Sequence, residues 1–442
     1  MSAIDHGAPD VGAMREALAA VRRSGVVRAE IFAKIGRSRS YAWSSERESA
    51  SLERREAGWL VRAGDDDRSF VFAASGPPRP LRTWPSAHPG GLRLPSPSTA
   101  NDWPNPPWTP PPGLDLPLLG ESEAWELFRA IDRELNRQLA GAGLIRARLD
   151  DGASGSRLLS STGLEASSRA RLAELHLEAR GPGRPATMRE LVQVDRAGRR
   201  FDAHRLAQRL ADRLEIAQRG EAIARDRADV VLAPPVAAQL LAATSSLWLG
   251  AGVTEPSRVG MSALTVLDAP RLDGGLVSSA VDGEGLPTRD IPLIEAGQRQ
   301  ALLRPWWRPG NDLPTGCMWR SSWRTPPRPR PAQLIIEPQP TVRTGDLVAE
   351  LARGYYLLEA LGAVRVDGER FALEVEGFSL RRGEAPSALR GAWLCGTVSS
   401  LWRGVVAVAR DLQFSPVAAG PAAGAIVGSP SLMVRGLELR AG

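Results

Sequence analysis

A chain of 442 residues is longer than one ordinary domain, so two domains are expected. Hydrophobic residues make up 43% and charged residues 24%, which excludes an intrinsically disordered chain. The net charge is +6, but 56 basic residues are interspersed with 50 acidic ones, so no single-sign field marks a nucleic-acid surface.

All the basic residues except Lys34 are arginine, a bias that, with abundant Ala and Gly, fits a GC-rich bacterial genome. The two cysteines, Cys317 and Cys395, stand far apart and in no metal-type spacing, which points to a reducing compartment. No basic segment followed by an apolar core opens the chain, and no run approaches the roughly 20 apolar residues of a membrane span. A soluble cytoplasmic protein without a membrane partner is expected.

Residues 1–10 read as a flexible tail. Met14, Leu18 and Val21 at helical spacing predict a helix over residues 11–24. Strand-sized pieces at 26–36, 38–45, 58–64 and 69–76 then predict an antiparallel meander. Prolines dominate an insertion at 76–117, where fixed φ and missing donors exclude regular helix or interior strand. Trp84, Trp103 and Trp108 within it favour an ordered loop packed on its own domain over a polyproline ligand for an aromatic groove.

Phe128, Ile131, Leu135 and Leu139 share one face of a helix at 121–140. Alternation at 175–179 marks a strand with His176 on its polar face. Asp202 can cap a linker helix of about 202–217 carrying Leu206, Leu210 and Leu214. The polar stretch 218–229 leads into an apolar strand at 230–232, and the boundary falls there. The expectation is an α+β protein: an N-terminal domain, 11–227, of helix plus antiparallel meander, and a mixed β-rich C-terminal domain, 228–442. The second domain opens with Pro234 and Pro235 leading an almost wholly apolar helix. A hairpin follows, with apolar runs at 291–294 and 301–303 about a turn at 295–297. A helix around 345–361 and strands at 368–380 and 431–442 complete it.

Chemistry is sparsely signalled. His6, His88, His176 and His204 have no metal-ligand spacing, no Gly-rich phosphate loop is present, and a lone lysine argues against a Ser–Lys pair. Asp282 and Glu284 in the turn Asp282-Gly283-Glu284-Gly285, with Arg289 close by, could serve acid/base work, a cation or a peptide, although carboxylates in such a turn are usually solvated. Trp306, Trp307, Trp319 and Trp323 alternate with arginines; such a set can stack bases, but packing at an interface is the simpler reading.

The turn at 282–285 followed by Pro287-Thr288-Arg289, then Leu293-Ile294-Glu295 with Gly297, and Thr315-Gly316 leading to Arg320, resembles the TldD/PmbA (TldD/TldE) family. So do the run into Leu334-Ile335-Ile336-Glu337-Pro338 and the closing Gly428-Ser429-Pro430-Ser431-Leu432. The likeness covers residues 228–442 well and the N-terminal half more weakly. Members were once described as modulators of DNA gyrase and are now seen as metalloprotease-related. The active subunit is similar to a zinc peptidase with a His-Glu-x-x-x-His helix and a later cysteine. Carried over without gaps, the histidine positions fall at about Ala242 and Leu247, the glutamate at about Ala243, and the cysteine near Pro416. Zinc needs about three protein ligands, and none stands at these places. The resemblance therefore implies the zinc-less branch: a non-catalytic subunit that binds no cofactor itself and pairs with a TldD-like, zinc-bearing partner to process peptides. The rivals are an independent hydrolase using Asp282 and Glu284, and an Arg/Trp surface engaging nucleic acid.

Overall fold

The computed structural model describes residues 9–79, 86–183, 186–244, 258–308, 315–416 and 426–442. Most of the tail, with His6, and also Trp84 and Leu247 lie outside these residues.

After α1 (Val11–Arg23), strands β1 (Arg28–Ser44), β2 (Arg47–Gly64), β3 (Arg68–Ser75) and β4 (His88–Pro89) form the expected meander. β5 (Gly143–Ser160), β6 (Glu165–Arg180) and β7 (Met188–Asp195) extend it into a seven-stranded antiparallel sheet ordered β4-β3-β2-β1-β5-β6-β7. The expected pieces at 26–36 and 38–45 are one strand. Gly36 and the serines around it stay in the ladder because β1 is paired on both sides, Gly36 with Glu56 and with Ser154.

Alternation divides this sheet into two faces. α1 packs Met14, Ala17 and Val21 onto Ile31, Trp59 and Val61. On the same side α3 (Glu121–Gln138) and α4 (Ala203–Arg219) cover Leu149, Leu175 and Leu177. Asp202 does cap α4, its carboxylate accepting Arg205 N–H at 3.0 Å. The opposite face, carrying Glu30, Phe32, Lys34, Arg62, Glu174 and His176, turns towards the C-terminal domain. In the proline-rich insertion a single helical turn, α2 (Pro97–Asn101), starts on Pro97, Trp103 is buried, and Trp108 donates to Ser278 Oγ at 3.0 Å. The insertion thus reaches the second domain as well as its own.

The C-terminal domain begins with β8 (Arg225–Leu232), whose polar first half pairs as part of the strand, and α5 (Pro234–Ala243). Its elements then run β9 (Val266–Asp268), β10 (Ile291–Glu295), β11 (Gln298–Arg299), β12 (Met318–Trp319), β13 (Arg328–Pro329) and β14 (Gln333–Ile336). They continue with α6 (Thr344–Glu350), β15 (Arg353–Ala360), β16 (Arg365–Asp367), β17 (Arg370–Arg381), β18 (Glu384–Thr397) and α7 (Val398–Arg403). The last are β19 (Val405–Val408), β20 (Gln413–Pro416), β21 (Ile426–Ser429) and β22 (Leu432–Ala441).

One sheet is ordered β11-β10-β9-β14-β21-β20. The other runs β15-β8-β22-β18-β17-β16, and pairing of β15 with β17 closes five of its strands into a ring. α5 is buried between them, with Val236, Ala237, Leu240 and Leu241 wholly inaccessible. Two expectations change. The hairpin after β10 closes earlier, at Gln298–Arg299, because Ala296 and Gly297 both take positive φ (46° and 77°) and make a two-residue turn. The helix expected around 345–361 stops at Glu350, and the Gly354-Tyr355-Tyr356 segment joins the ring as β15, where Gly354 lets the backbone lie against Asp229.

Candidate functional site

The 282–285 turn is built by its own aspartate. Asp282 Oδ1 accepts the N–H groups of Glu284 (2.9 Å) and Leu286 (3.1 Å), and Oδ2 accepts that of Met318 (3.1 Å). Gly285, at φ 85°, lies against Leu158, Leu164 and Ala166 of the N-terminal sheet. The turn therefore points Glu284 into the seam between domains. There Arg62 Nη2 donates to Glu284 Oε1 at 2.8 Å and forks onto Glu30 at 2.7 and 2.9 Å. Arg320 also donates to Glu30, donates through Nε to Gly283 O at 3.0 Å, and lies over the Phe32 ring at 4.3 Å.

Asp282 and Glu284 are 6% and 0% exposed, so the expectation of solvated turn carboxylates is overturned, and Glu30 beside them is 0% exposed. Burial opposes the charge on Glu30, but the guanidinium groups of Arg62 and Arg320 outweigh it and hold its pKa below the usual carboxylate range. Burial, then the charge of Glu284, push Asp282 up to about 7, against the pull of its three backbone donors. Glu284 is also raised, mainly by burial. Glu284 fastens the domains together through Arg62, and Asp282 holds the turn that carries it. Arg289 is half-buried outside this network, its Nε unpartnered and its pKa lowered by burial.

The tryptophans do not form one surface. Trp323 is 3% exposed and rests on β2 at Gly58, where a Cβ would sit 2.3 Å from the indole. It donates to Glu56, and Arg324 covers its ring at 4.0 Å. Trp306 and Trp307 are half-buried and meet edge to face at 5.6 Å. Trp319 is half-buried beside the seam.

The main cavity is a cleft of about 1240 Å³ where β6 and β7 face α5, the end of β15 and β20. β7 ends the N-terminal sheet and β20 ends the six-stranded sheet, so two strand edges border it. Alternation puts Glu174, His176 and Glu178 of β6 on its wall. His176 Nε2 lies 2.7 Å from Glu174 Oε1, a bond that raises the histidine pKa. At the rim, Arg189 and Arg213 bind Glu376 (2.8 and 3.2 Å) and Arg209 binds Glu359 (3.0 Å). Alternation predicts the polar face of His176 but not this network, for which the polar residues at every second position of β6 are the available signal.

α5 presents Pro235, Gln239, Ala242 and Ala243 to the cleft, and Pro416 lines it at the end of β20. The fold thus brings together three of the four positions carried over from the zinc peptidase. Methyl groups and a proline ring offer no donor, and no cluster of three or more His, Cys, Asp or Glu side chains suited to a metal occurs among the described residues. Cys395 on β18 and the buried Cys317 are both free thiols. Zinc does not fit these positions.

The family model for the PmbA/TldA metallopeptidase C-terminal domain matches residues 225–441. Among solved structures, the chain is similar to TldE from Thermococcus kodakarensis, at a TM-score of 0.82 and 17% identity, covering 97% of this chain and 100% of that one. It is also similar to a putative modulator of DNA gyrase from Thermotoga maritima (TM-score 0.78, 15% identity, 97% and 99% covered). A putative modulator of DNA gyrase from Bacteroides thetaiotaomicron gives 0.73 and 15%, with 98% of each chain covered. No curated protein matches the sequence significantly. The match over residues 225–441 gives the chain the C-terminal domain of the metallopeptidase-related TldD/PmbA family.

Proposed function

We propose that this chain is a non-catalytic subunit of a cytoplasmic peptide-processing metallopeptidase, working as a heterodimer with a TldD-like partner that holds the zinc. The observation that carries the reading is the cleft: it is bordered by the edges of β7 and β20, while α5 offers it only Gln239, alanines and a proline. An unfolded peptide pairs with such an edge by strand addition, taking affinity from main-chain hydrogen bonds. The partner then cuts what this chain helps to hold. The half-buried Trp306–Trp307 pair, with exposed Arg308, is the docking element for that partner. The rival hydrolase is disfavoured because Glu284 is buried and committed to Arg62.

Co-expression with a zinc-bearing TldD-like chain, followed by peptidase assay of each chain and of the mixture, tests the reading. Cleavage by the mixture alone is expected. Peptide cleavage by this chain alone after metal stripping overturns it, and Trp306→Ser with Trp307→Ser leaving the complex intact removes the docking assignment.

A further inference from the structure

A second cavity, of about 290 Å³, lies beside the cleft on the same face of the N-terminal sheet, and Leu172 and Ile426 line both. Its volume sits at the lower end of the roughly 300–1,000 Å³ typical of ligand sites, enough for one small group. The chain's single lysine stands in its wall. Lys34 faces Ser156 across β1 and β5, Ser156 faces Ser168 across β5 and β6, and the two hydroxyl oxygens are 2.9 Å apart. The three side chains therefore make one row across the sheet.

Lys34 donates a hydrogen bond to no described residue. Its charged neighbour is Glu56, which already accepts from Trp323 and Arg324. Burial lowers the lysine pKa despite Glu56, the signature of an ammonium short of partners. Trp319 lines the same cavity, and its buried indole N–H has no acceptor. Buried polar groups are normally satisfied, so the orphan indole N–H, with the half-buried lysine ammonium on the same small cavity, marks a missing acceptor. Phe32, Leu158 and Leu276 give the remaining wall apolar surface, and of the five arginines that also line it, Arg169, Arg171, Arg196 and Arg320 are committed to Asp115, Asp151, Gly275 O and Glu30.

We propose that this cavity is a carboxylate subsite, in which Lys34 binds the carboxylate of a short apolar group and Trp319 Nε1 and the Ser156–Ser168 pair supply further donors. Because four of the five arginines are already paired, the cavity suits a singly charged carboxylate better than a phosphate, which calls for several free donors in a fork. Two sources share this chemistry: a free branched-chain acid, or the C-terminus of a peptide whose preceding residues lie in the cleft. The second rests on the peptide-binding reading above, and the shared wall at Leu172 and Ile426 favours it.

Calorimetric titration of the full-length protein separates the possibilities. The probes are acetyl-Ala-Ala-Ala-Leu as free acid, the same peptide as its C-terminal amide, and 4-methylpentanoate alone. The acid is expected to bind roughly tenfold more tightly than the amide, the worth of one charge-assisted contact. Lys34→Met is expected to abolish that difference while leaving the amide unchanged. Equal binding of acid and amide overturns the terminal assignment, and failure of 4-methylpentanoate to bind as well overturns the subsite itself. If neither peptide binds but 4-methylpentanoate does so in a Lys34-dependent way, the subsite stands and the peptide reading of the cleft falls. The acid–amide comparison on the unaltered protein decides the matter even if the variant does not fold.

Discussion

The N-terminal sheet meets the C-terminal domain through two arginine–carboxylate networks, and they differ in their access to water. At the seam, the side chains of Glu30, Arg62, Glu284 and Arg320 are between 0% and 9% exposed. At the cleft rim, Arg189 and Arg209 are 18% and 29% exposed, although Arg213 and the Glu376 it shares with Arg189 are 9% and 0% exposed. A buried ion pair is weak evidence for stability gained, but removing one of its members strands an uncompensated charge. An exposed pair can be lost at little cost. The seam is therefore a fixed joint, and the rim is a surface that tolerates change beside a ligand.

Several variants would break or sharpen this contrast. Glu30→Ala leaves Arg62 and Arg320 facing each other in the dry seam and is expected to cost about 3–5 kcal/mol in urea unfolding; a cost below about 1 kcal/mol would erase the distinction.

Next comes pH. Asp268, whose Oδ1 accepts Ala332 N–H and Gln333 N–H, is pushed by burial up to about 7, as is Asp282. Each holds its proton more tightly in the folded state than in the unfolded chain. The stabilising contribution is therefore complete below the unfolded value near 4 and is lost as pH rises to about 7. Asp268→Asn is expected to flatten that decline, an effect of about 2–4 kcal/mol across the window. Parallel curves of melting temperature against pH for the two proteins would refute the assignment.

Gly58→Ala drives a methyl into the Trp323 ring and should destabilise by about 1–3 kcal/mol. Trp323→Ala introduced together with it should relieve the clash, so additive losses in the double variant would count against this packing. Smallest of all, Arg209→Ala at the rim is expected to change stability by less than about 1 kcal/mol.

Much of the fold was legible because it is local. The alternation of β6, the α3 stripe of Phe128, Ile131 and Leu135, and the aspartate cap of α4 all repeat within a few residues. The family resemblance likewise rested on short segments in order. The burial of Glu284 was not legible, because its partner Arg62 stands 222 positions away. Nor could the sequence tell which face of the first sheet met the second domain, since Glu30 and Lys34 sit on the same strand face as Phe32. Ala242, Ala243 and Pro416 could be aligned with ligand positions, but only the fold shows that α5 and β20 bring them to one wall.

The ring in the C-terminal domain has a topological consequence. β8 opens that domain and β22 closes it, and the two lie side by side, with Arg225 opposite Arg440. The domain's beginning and end are thus neighbours on one strand pair. A short linker could join them and new ends could be opened at a surface loop, giving a circularly permuted module without stretching any strand. The same adjacency means that the N-terminal domain hangs from the second by a single crossing of the chain, so the joint between them depends on side chains.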